Sequence, residues 1–243
     1  MNNFTYSVPT KIHFGKGQIS HLYELSESGN KVLLCYGGGS IKKAGIYDEA
    51  VKILKEEDIE IFELSGIAPN PKIESVREGV KLCKENDIDM VLAIGGGSVI
   101  DCAKVVAAGA CYDGDPWDLV ITPRWIKKAL PIYSVLTLSA TGSEMDLFAV
   151  ISDMSKNEKW GTASEHMKPK MSILDPEYTY SVSKKQTAAG TADMISHIFE
   201  NYFTNVKNAD VQARFAEGLL KNCFKYGPIA LEEPDNYDAR ANL

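Results

Sequence analysis

Histidine is scarce in this chain: only His13, His21, His166 and His197 occur in 243 residues. A divalent metal site needs about three or four protein ligands, so a complete histidine-rich centre is hard to assemble here. Cysteine is sparse as well. Cys35, Cys83, Cys102, Cys111 and Cys223 are scattered, odd in number and free of C-x-x-C pairs. That pattern excludes a zinc cage and a disulfide framework and points to reduced thiols in the cytoplasm. Basic residues do not predominate: 26 Lys and Arg stand against 33 Asp and Glu, a net charge of −7, which argues against nucleic acid or an anionic membrane as the main partner. No apolar run approaches membrane-spanning length, and the start, Met1-Asn-Asn-Phe-Thr, has no signal-peptide pattern. No Ser, Cys or His sits in a nucleophile motif such as G-x-S-x-G. There is no low-complexity segment. What remains, 44% hydrophobic and 24% charged residues, is the make-up of an ordinary globular protein with ample core, in one large domain or two smaller ones.

The most informative stretch is Met90-Val-Leu-Ala-Ile-Gly-Gly-Gly-Ser-Val-Ile-Asp-Cys-Ala-Lys104. Met90 to Ile94 is a short apolar run suited to a buried parallel strand. Gly95, Gly96 and Gly97 follow, and then Val99, Ala103 and Val106 fall at helical spacing. Ser98 is placed as the N-cap of that helix and Asp101 in its first turn, where a carboxylate suits the positive end. A strand, a glycine turn and a helix N-terminus make an anion site, because glycine keeps side chains away and unpaired N–H groups face the ligand. Three consecutive glycines exceed the needs of a plain turn, so pyrophosphate binding is the favoured reading. The motif is not G-x-G-x-x-G, since Ile100 stands where the last glycine would be.

Taken in order, residues 4–14 read as strand segments, with Pro9 best tolerated on a sheet edge. Ile19, Leu22 and Leu25 suggest a helix ending near Gly29. Lys31 to Tyr36 is a strong buried strand running into Gly37-Gly-Gly-Ser40, a second strand–glycine–serine junction. A helix over about Tyr47 to Glu57, a strand over Ile59 to Leu64, the rigid turn Ala68-Pro-Asn-Pro71 and a helix over Ile73 to Asn86 follow. This alternation predicts an α/β fold with a parallel, doubly wound sheet, whose right-handed crossovers would bring both glycine turns to one strand-end edge. Residues 112–130 read as irregular. Pro131 to Leu138 is a strand ending in the small polar loop Ser139-Ala-Thr-Gly-Ser-Glu144. A hairpin is expected from Ala149–Ser152 back to Trp160–Thr162, and Met171 to Leu174 is a short strand. From Ser183 the pattern turns helical: one helix to Phe203, a second over Asp210 to Lys225 with Val211, Phe215, Leu219, Leu220 and Phe224 on an apolar stripe, and the start of a third at Asp238. The expected organisation is an α/β domain over residues 1–183 and the beginning of an all-helical domain over 184–243. About 60 helical residues would be small to stand alone, so the chain reads as a fragment.

Asp193 and His197 are the sharpest chemical pair. At i, i+4 they project from one helix face, close enough to share a metal ion, and a carboxylate with an imidazole suits Fe²⁺, Zn²⁺, Ni²⁺ or Mn²⁺. Taken alone, a surface Asp–His pair is the plainer reading. Thr137, Ser139, Thr141 and Ser143 have hydroxyls that suit a cofactor, although such residues after a strand are routine turn formers. Lys159 is placed to meet a phosphate or ribose, though most lysines are simply solvated. His13 and His21 read as surface or strand histidines, and Cys102 as packing.

Several ordered motifs carry a family resemblance: Gly95-Gly-Gly-Ser-Val-Ile-Asp101, Pro69-Asn-Pro71, Leu136-Thr-Leu-Ser-Ala-Thr-Gly-Ser-Glu144, Leu174-Asp-Pro176, Asp193-x-x-x-His197, Ala216-Glu-Gly218, Asn236-Tyr-Asp238 and Arg240-Ala-Asn242. Together they resemble the iron-containing (group III) alcohol dehydrogenases, nearest the NAD(P)H-dependent butanol dehydrogenases and broad-range aldehyde reductases. The resemblance implies an N-terminal dinucleotide-binding domain, a C-terminal helical metal-binding domain, and hydride transfer between nicotinamide and a small aldehyde or alcohol. It makes Asp193 and His197 the first two metal ligands, catalytic through an iron(II) ion, with zinc or nickel as alternatives, and it puts two further histidine ligands beyond residue 243. It assigns Gly95, Gly96, Gly97 and Ser98 to the pyrophosphate and Asp101 to the nicotinamide half. Thr137, Thr141 and Lys159 go to ribose and phosphate, and Asn70 to the adenosine side. At Gly38, Gly39 and Ser40 the strand ends without a carboxylate that would repel a 2′-phosphate, and Lys42 or Lys43 adds charge, so NADP(H) is expected over NAD(H). A homodimer or larger homo-oligomer is implied. A glycerol dehydrogenase-like polyol enzyme and a non-catalytic dinucleotide-binding module are the alternatives.

Overall fold

The computed structural model of the chain describes residues 3–243. It divides into two compact units: one holds 9–136 and 142–175, the other the segments up to Val8, 137–141 and 176–243.

The larger unit is built on a six-stranded, all-parallel sheet. Its strands are β1 (Lys11–Phe14), β2 (Lys31–Tyr36), β3 (Glu60–Leu64), β4 (Met90–Gly95), β5 (Ile132–Leu136) and, after an antiparallel hairpin of β6 (Phe148–Asp153) and β7 (Glu158–Ala163), β8 (Met171–Leu174). The sheet order is β1-β8-β5-β4-β2-β3. Every residue of β4 and β5 is buried, and continuous rather than alternating apolar runs are what a strand covered on both faces requires. From β2 the chain steps outward to β3 and then crosses back to β4 on the other side, so the strand order reverses between β2 and β4. This is the doubly wound arrangement read from the sequence, and its switch point lies between the two strands that end in glycine runs. Tyr36 pairs with Ile94, which sets the two glycine turns side by side at the same end of the sheet.

Helices of this unit are α1 (Ser40–Lys43), α2 (Ile46–Glu56), α3 (Ile73–Asn86), α4 (Gly97–Ala110) and α5 (Pro116–Ile121). In α3 the buried residues Ile73, Val76, Val80 and Cys83 recur every three or four positions, the stripe of a helix with one face on the core. Helix α4 is buried almost all round from Val99 to Gly109. A Cβ on Gly109 would lie 2.6 Å from a Val80 methyl, and one on Gly79 would lie 2.6 Å from a Val106 methyl. The absence of these two side chains lets α3 and α4 approach closely.

Several expectations need correction. The strand read over 4–14 pairs only at Lys11–Phe14; the residues before it, with Pro9 among them, make no ladder. The helix at Ile19 is a 3₁₀ helix, Gln18–Ser28, burying Ile19, Leu22 and Leu25. Their spacing of three fits three residues per turn and would wander off a 3.6-residue face. Residues 112–130 contain α5, capped by Asp115, whose carboxylate accepts from Trp117 N at 2.8 Å, with Pro116 in its first turn. Asp at the N-cap followed by Pro is a helix start, although the composition of this segment reads as loop.

The second unit holds α6 (Lys184–Tyr202), α7 (Asp210–Glu232) and α8 (Tyr237–Ala241). Ser183 caps α6 through Gln186 N. Helix α7 continues past Lys225 through Gly227 and Pro228, two residues that punctuate most helices. The buried Arg240 of α8 donates to Thr187 Oγ1 at 3.0 Å and to Pro234 O at 2.8 Å.

Candidate dinucleotide site and metal-ligand pair

In the larger unit, the glycine turn after β4 leads straight into α4. The N-cap is Gly96 rather than Ser98, the helix begins at Gly97, and no side chain caps it. The first N–H groups of a helix lack intrahelical acceptors, so the uncapped start of α4 keeps donors for an anion. A Cβ on Gly95 would meet Val99 at 2.6–2.8 Å, which is why the strand can bend into the helix only with glycine there. The second turn, Gly37–Gly39, enters α1 through Gly39 at φ 96°, a left-handed conformation that favours glycine.

Ser98, displaced from the cap, holds another segment. Its Oγ accepts from the backbone N of Asn70 at 3.3 Å. Asn70 is itself left-handed (φ 54°), and its Oδ1 accepts from Lys159 Nζ at 2.6 Å. The Asn-Pro turn is tied to the hairpin, because Ser152 N donates to Pro71 O at 2.9 Å and Ser152 pairs with Lys159 across β6 and β7. Three residues far apart in the sequence, Asn70, Ser98 and Lys159, are thus brought together beside the uncapped helix start.

Asp101 is placed differently from the first-turn role expected of it. Its carboxylate accepts from Ser143 Oγ at 2.7 Å and from Val150 N at 3.0 Å, and so fastens α4 to β6. Burial raises its pKa, against the pull of those two hydrogen bonds. One turn on, Lys104 does similar work and had carried no signal in the sequence. Its side chain is fully buried, and Nζ donates to Asp146 Oδ1 (2.7 Å), Asp146 O (3.0 Å) and Phe148 O (2.9 Å). Burial lowers its pKa, with Asp146 pulling the other way.

The sequence reading also missed Glu63. It lies near the end of β3, the neighbour of β2, and accepts hydrogen bonds from Tyr36 Oη and from Tyr47 Oη, the latter at 2.5 Å. The bond to Glu63 pushes the Tyr47 phenol up to about 12. Lys42 Nζ is 3.7 Å from the same carboxylate and sits over the rings of Tyr36 and Tyr47. The edge beside Gly38, Gly39 and Ser40 therefore does contain a carboxylate, and one of its two lysines is engaged with it.

Thr137 and Thr141 fall in the other unit. There α6 carries Asp193 and His197 on one face, with Asp193 Oδ1 3.8 Å from His197 Nε2 and Glu200 Oε2 3.2 Å from Nδ1. Both side chains of the pair are about half exposed. Two metal bonds of about 2 Å span a separation of this size, so this carboxylate and imidazole fit a shared cation, with Glu200 holding the ring by its other nitrogen.

The family model for iron-containing alcohol dehydrogenase matches residues 9–176. The chain is 59% identical over its whole length to NADH-dependent butanol dehydrogenase A of Clostridium acetobutylicum and covers 63% of that protein. It is 45% identical, again over its whole length and 63% of the relative, to the NADPH-dependent aldehyde reductase YqhD of Escherichia coli. Among solved structures, that of NADH-dependent butanol dehydrogenase A from Thermotoga maritima superposes with a TM-score of 0.96 at 47% identity, over 100% of this chain and 61% of the other. The chain spans a little under two thirds of the length of these relatives. The motifs, the sheet order and these matches agree: this chain belongs to the iron-containing alcohol dehydrogenase family.

Proposed function

We propose that this sequence supplies the dinucleotide-binding unit and the first two metal ligands of an NAD(P)H-dependent enzyme that interconverts small aldehydes and primary alcohols of the butanal and butanol type. One observation carries the reading most: the two glycine turns end adjacent parallel strands, with Asn70, Ser98 and Lys159 converging beside the uncapped start of α4. The relatives' names supply the substrate class. When bound, the metal polarises a carbonyl oxygen and the nicotinamide gives or takes hydride. The chain's own residues position these groups. Backbone N–H donors at Gly97 and Ser98 take the pyrophosphate, and Lys159 adds positive charge. Asp101 and Lys104 keep the hairpin that carries Lys159 fixed on α4. Asp193 and His197 donate oxygen and nitrogen to a divalent ion, iron(II) first.

Cofactor choice turns on the β2 edge. The sequence predicts NADP(H), because β2 ends without a carboxylate and lysines follow it. Glu63 and its grip on Lys42 remove much of that ground, since a nearby carboxylate repels a 2′-phosphate. The butanol dehydrogenase relatives at 59% identity are NADH-dependent by name, and we infer NAD(H) as the preferred cofactor. In the intact protein, Asp193→Ala should abolish metal-dependent reduction of butanal while leaving dinucleotide affinity within about twofold, read by nicotinamide absorbance and by fluorescence titration. Retained turnover would remove Asp193 from the metal site.

A further inference from the structure

We propose that His13, His21 and Glu24 form a second metal site, a clip for a divalent ion of the zinc class that ties edge strand β1 to the 3₁₀ helix Gln18–Ser28. The fold brings the three donors together for simple reasons. Lys11 and His13, two apart on a strand, point to the same face. His21 and Glu24, three apart on a 3₁₀ helix, are eclipsed one above the other. Glu24 Oε1 lies 3.0 Å from His13 Nε2 and 3.1 Å from His21 Nδ1, and donor atoms of the three residues all lie within 4.8 Å of one another. Ligand atoms around a tetrahedral ion with bonds of about 2.0 Å sit about 3.3 Å apart, so two of the three separations are already near that value.

A further observation favours an ion over a plain hydrogen-bonded cluster. The buried Nε2 of His13 has no hydrogen-bond partner among the described residues, although the carboxylate is 3.0 Å away. The oxygen is within reach but off the hydrogen-bonding direction, and a buried polar atom left in that state calls for another partner. The two imidazoles stack, centroids 3.6 Å apart and planes at 11°, so one ring turns out of the stack when both bind a single ion through their in-plane lone pairs. Lys11 Nζ holds the other carboxylate oxygen, Oε2, at 2.6 Å, an outer contact that keeps Oε1 turned toward the histidines. Two imidazoles and one carboxylate suit zinc, cobalt or nickel. The fourth position falls to water, since the His21 side chain is 30% exposed. This site lies wholly in the larger unit and does not depend on the dinucleotide reading or on Asp193 and His197.

The test uses the full chain carrying Asp193→Ala and His197→Ala, titrated with Zn²⁺ by calorimetry and with Co²⁺ by visible absorption. The expected result is one-to-one binding with ligand-field bands of a tetrahedral cobalt site, weakened more than about tenfold by His21→Ala or by Glu24→Gln. Absence of binding in the double variant, or binding indifferent to both added substitutions, overturns the proposal. Because His21 and Glu24 also hold the 3₁₀ helix, ring-nitrogen NMR of the chain with its cluster intact is the second reading. Zn²⁺ should shift the His13 and His21 resonances together, and unmoved resonances would equally refute the site.

Discussion

Lys104 shows how much of this molecule's order rests on single polar side chains in apolar surroundings. A fully buried ammonium is tolerable only with acceptors on its hydrogens, and it has one carboxylate and two backbone carbonyls. Replacing it with methionine removes the charge, takes this donor from two backbone carbonyls and leaves Asp146 Oδ1 only the Phe148 N–H, so Lys104→Met should destabilise the larger unit by about 3 kcal/mol, read from urea denaturation. A change below about 0.5 kcal/mol would show the contacts to be incidental. This role was invisible in the sequence, where Lys104 is one lysine on an apolar helix and its partners lie more than forty positions away. Asp193 and His197, by contrast, were legible, because an i, i+4 pair on a helix carries its geometry in its spacing. Asn70, Ser98 and Lys159 stood in between. Their types and the family motif marked them, but only tertiary structure shows that the serine receives an amide rather than capping its helix.

At the scale of elements, uniform patterns read well and mixed signals read badly. The helix Ile73–Asn86 and the strands Lys31–Tyr36 and Met171–Leu174 have the bounds expected from their periodicity. Helix α5 was lost because Asp113, Gly114, Asp115 and Pro116 look like loop residues when counted and like a helix start when ordered. Asp115 holds two partners there: it caps α5 and pairs with Arg77, whose Nε lies 2.8 Å away. Burial tends to raise its pKa, but Arg77 and the Trp117 N–H together bring it below the ordinary 3.8. A carboxyl depressed in the folded state stabilises the fold above its unfolded pKa, and that contribution is lost as pH falls through the folded value. Asp115→Ala should therefore cost about 1 kcal/mol near neutrality, the usual worth of an N-cap. The gap between variant and parent should close as pH drops below 3.8. Urea midpoints at neutral and acid pH check this, and a gap that persists in acid would mean that the carboxylate is not the source.

At the scale of the whole chain, the order of motifs told more than any one of them. The parallel sheet follows from alternation of strands and helices, and two glycine turns on neighbouring strands mark the candidate site. No helix among the described residues is long and apolar enough to cross a membrane. Periodicity did not reveal what a face meets: the stripe read on α7 leaves Val211, Phe215, Leu219 and Phe224 more than half exposed, and an apolar surface of that kind marks a packing face rather than a solvent face. In the other unit, the paired glycine turns are proposed to hold a nicotinamide dinucleotide, NADH before NADPH. The most direct measurement is a fluorescence titration of the chain with NADH and NADPH, alongside Gly38→Glu, a position where an added Cβ meets no atom within 4 Å. The expected result is saturable binding with NADH the tighter ligand, and a loss of at least about tenfold in the variant from charge repulsion against the cofactor phosphates, with unchanged circular dichroism. Failure to bind either dinucleotide, or equal binding by the folded variant, would contradict it.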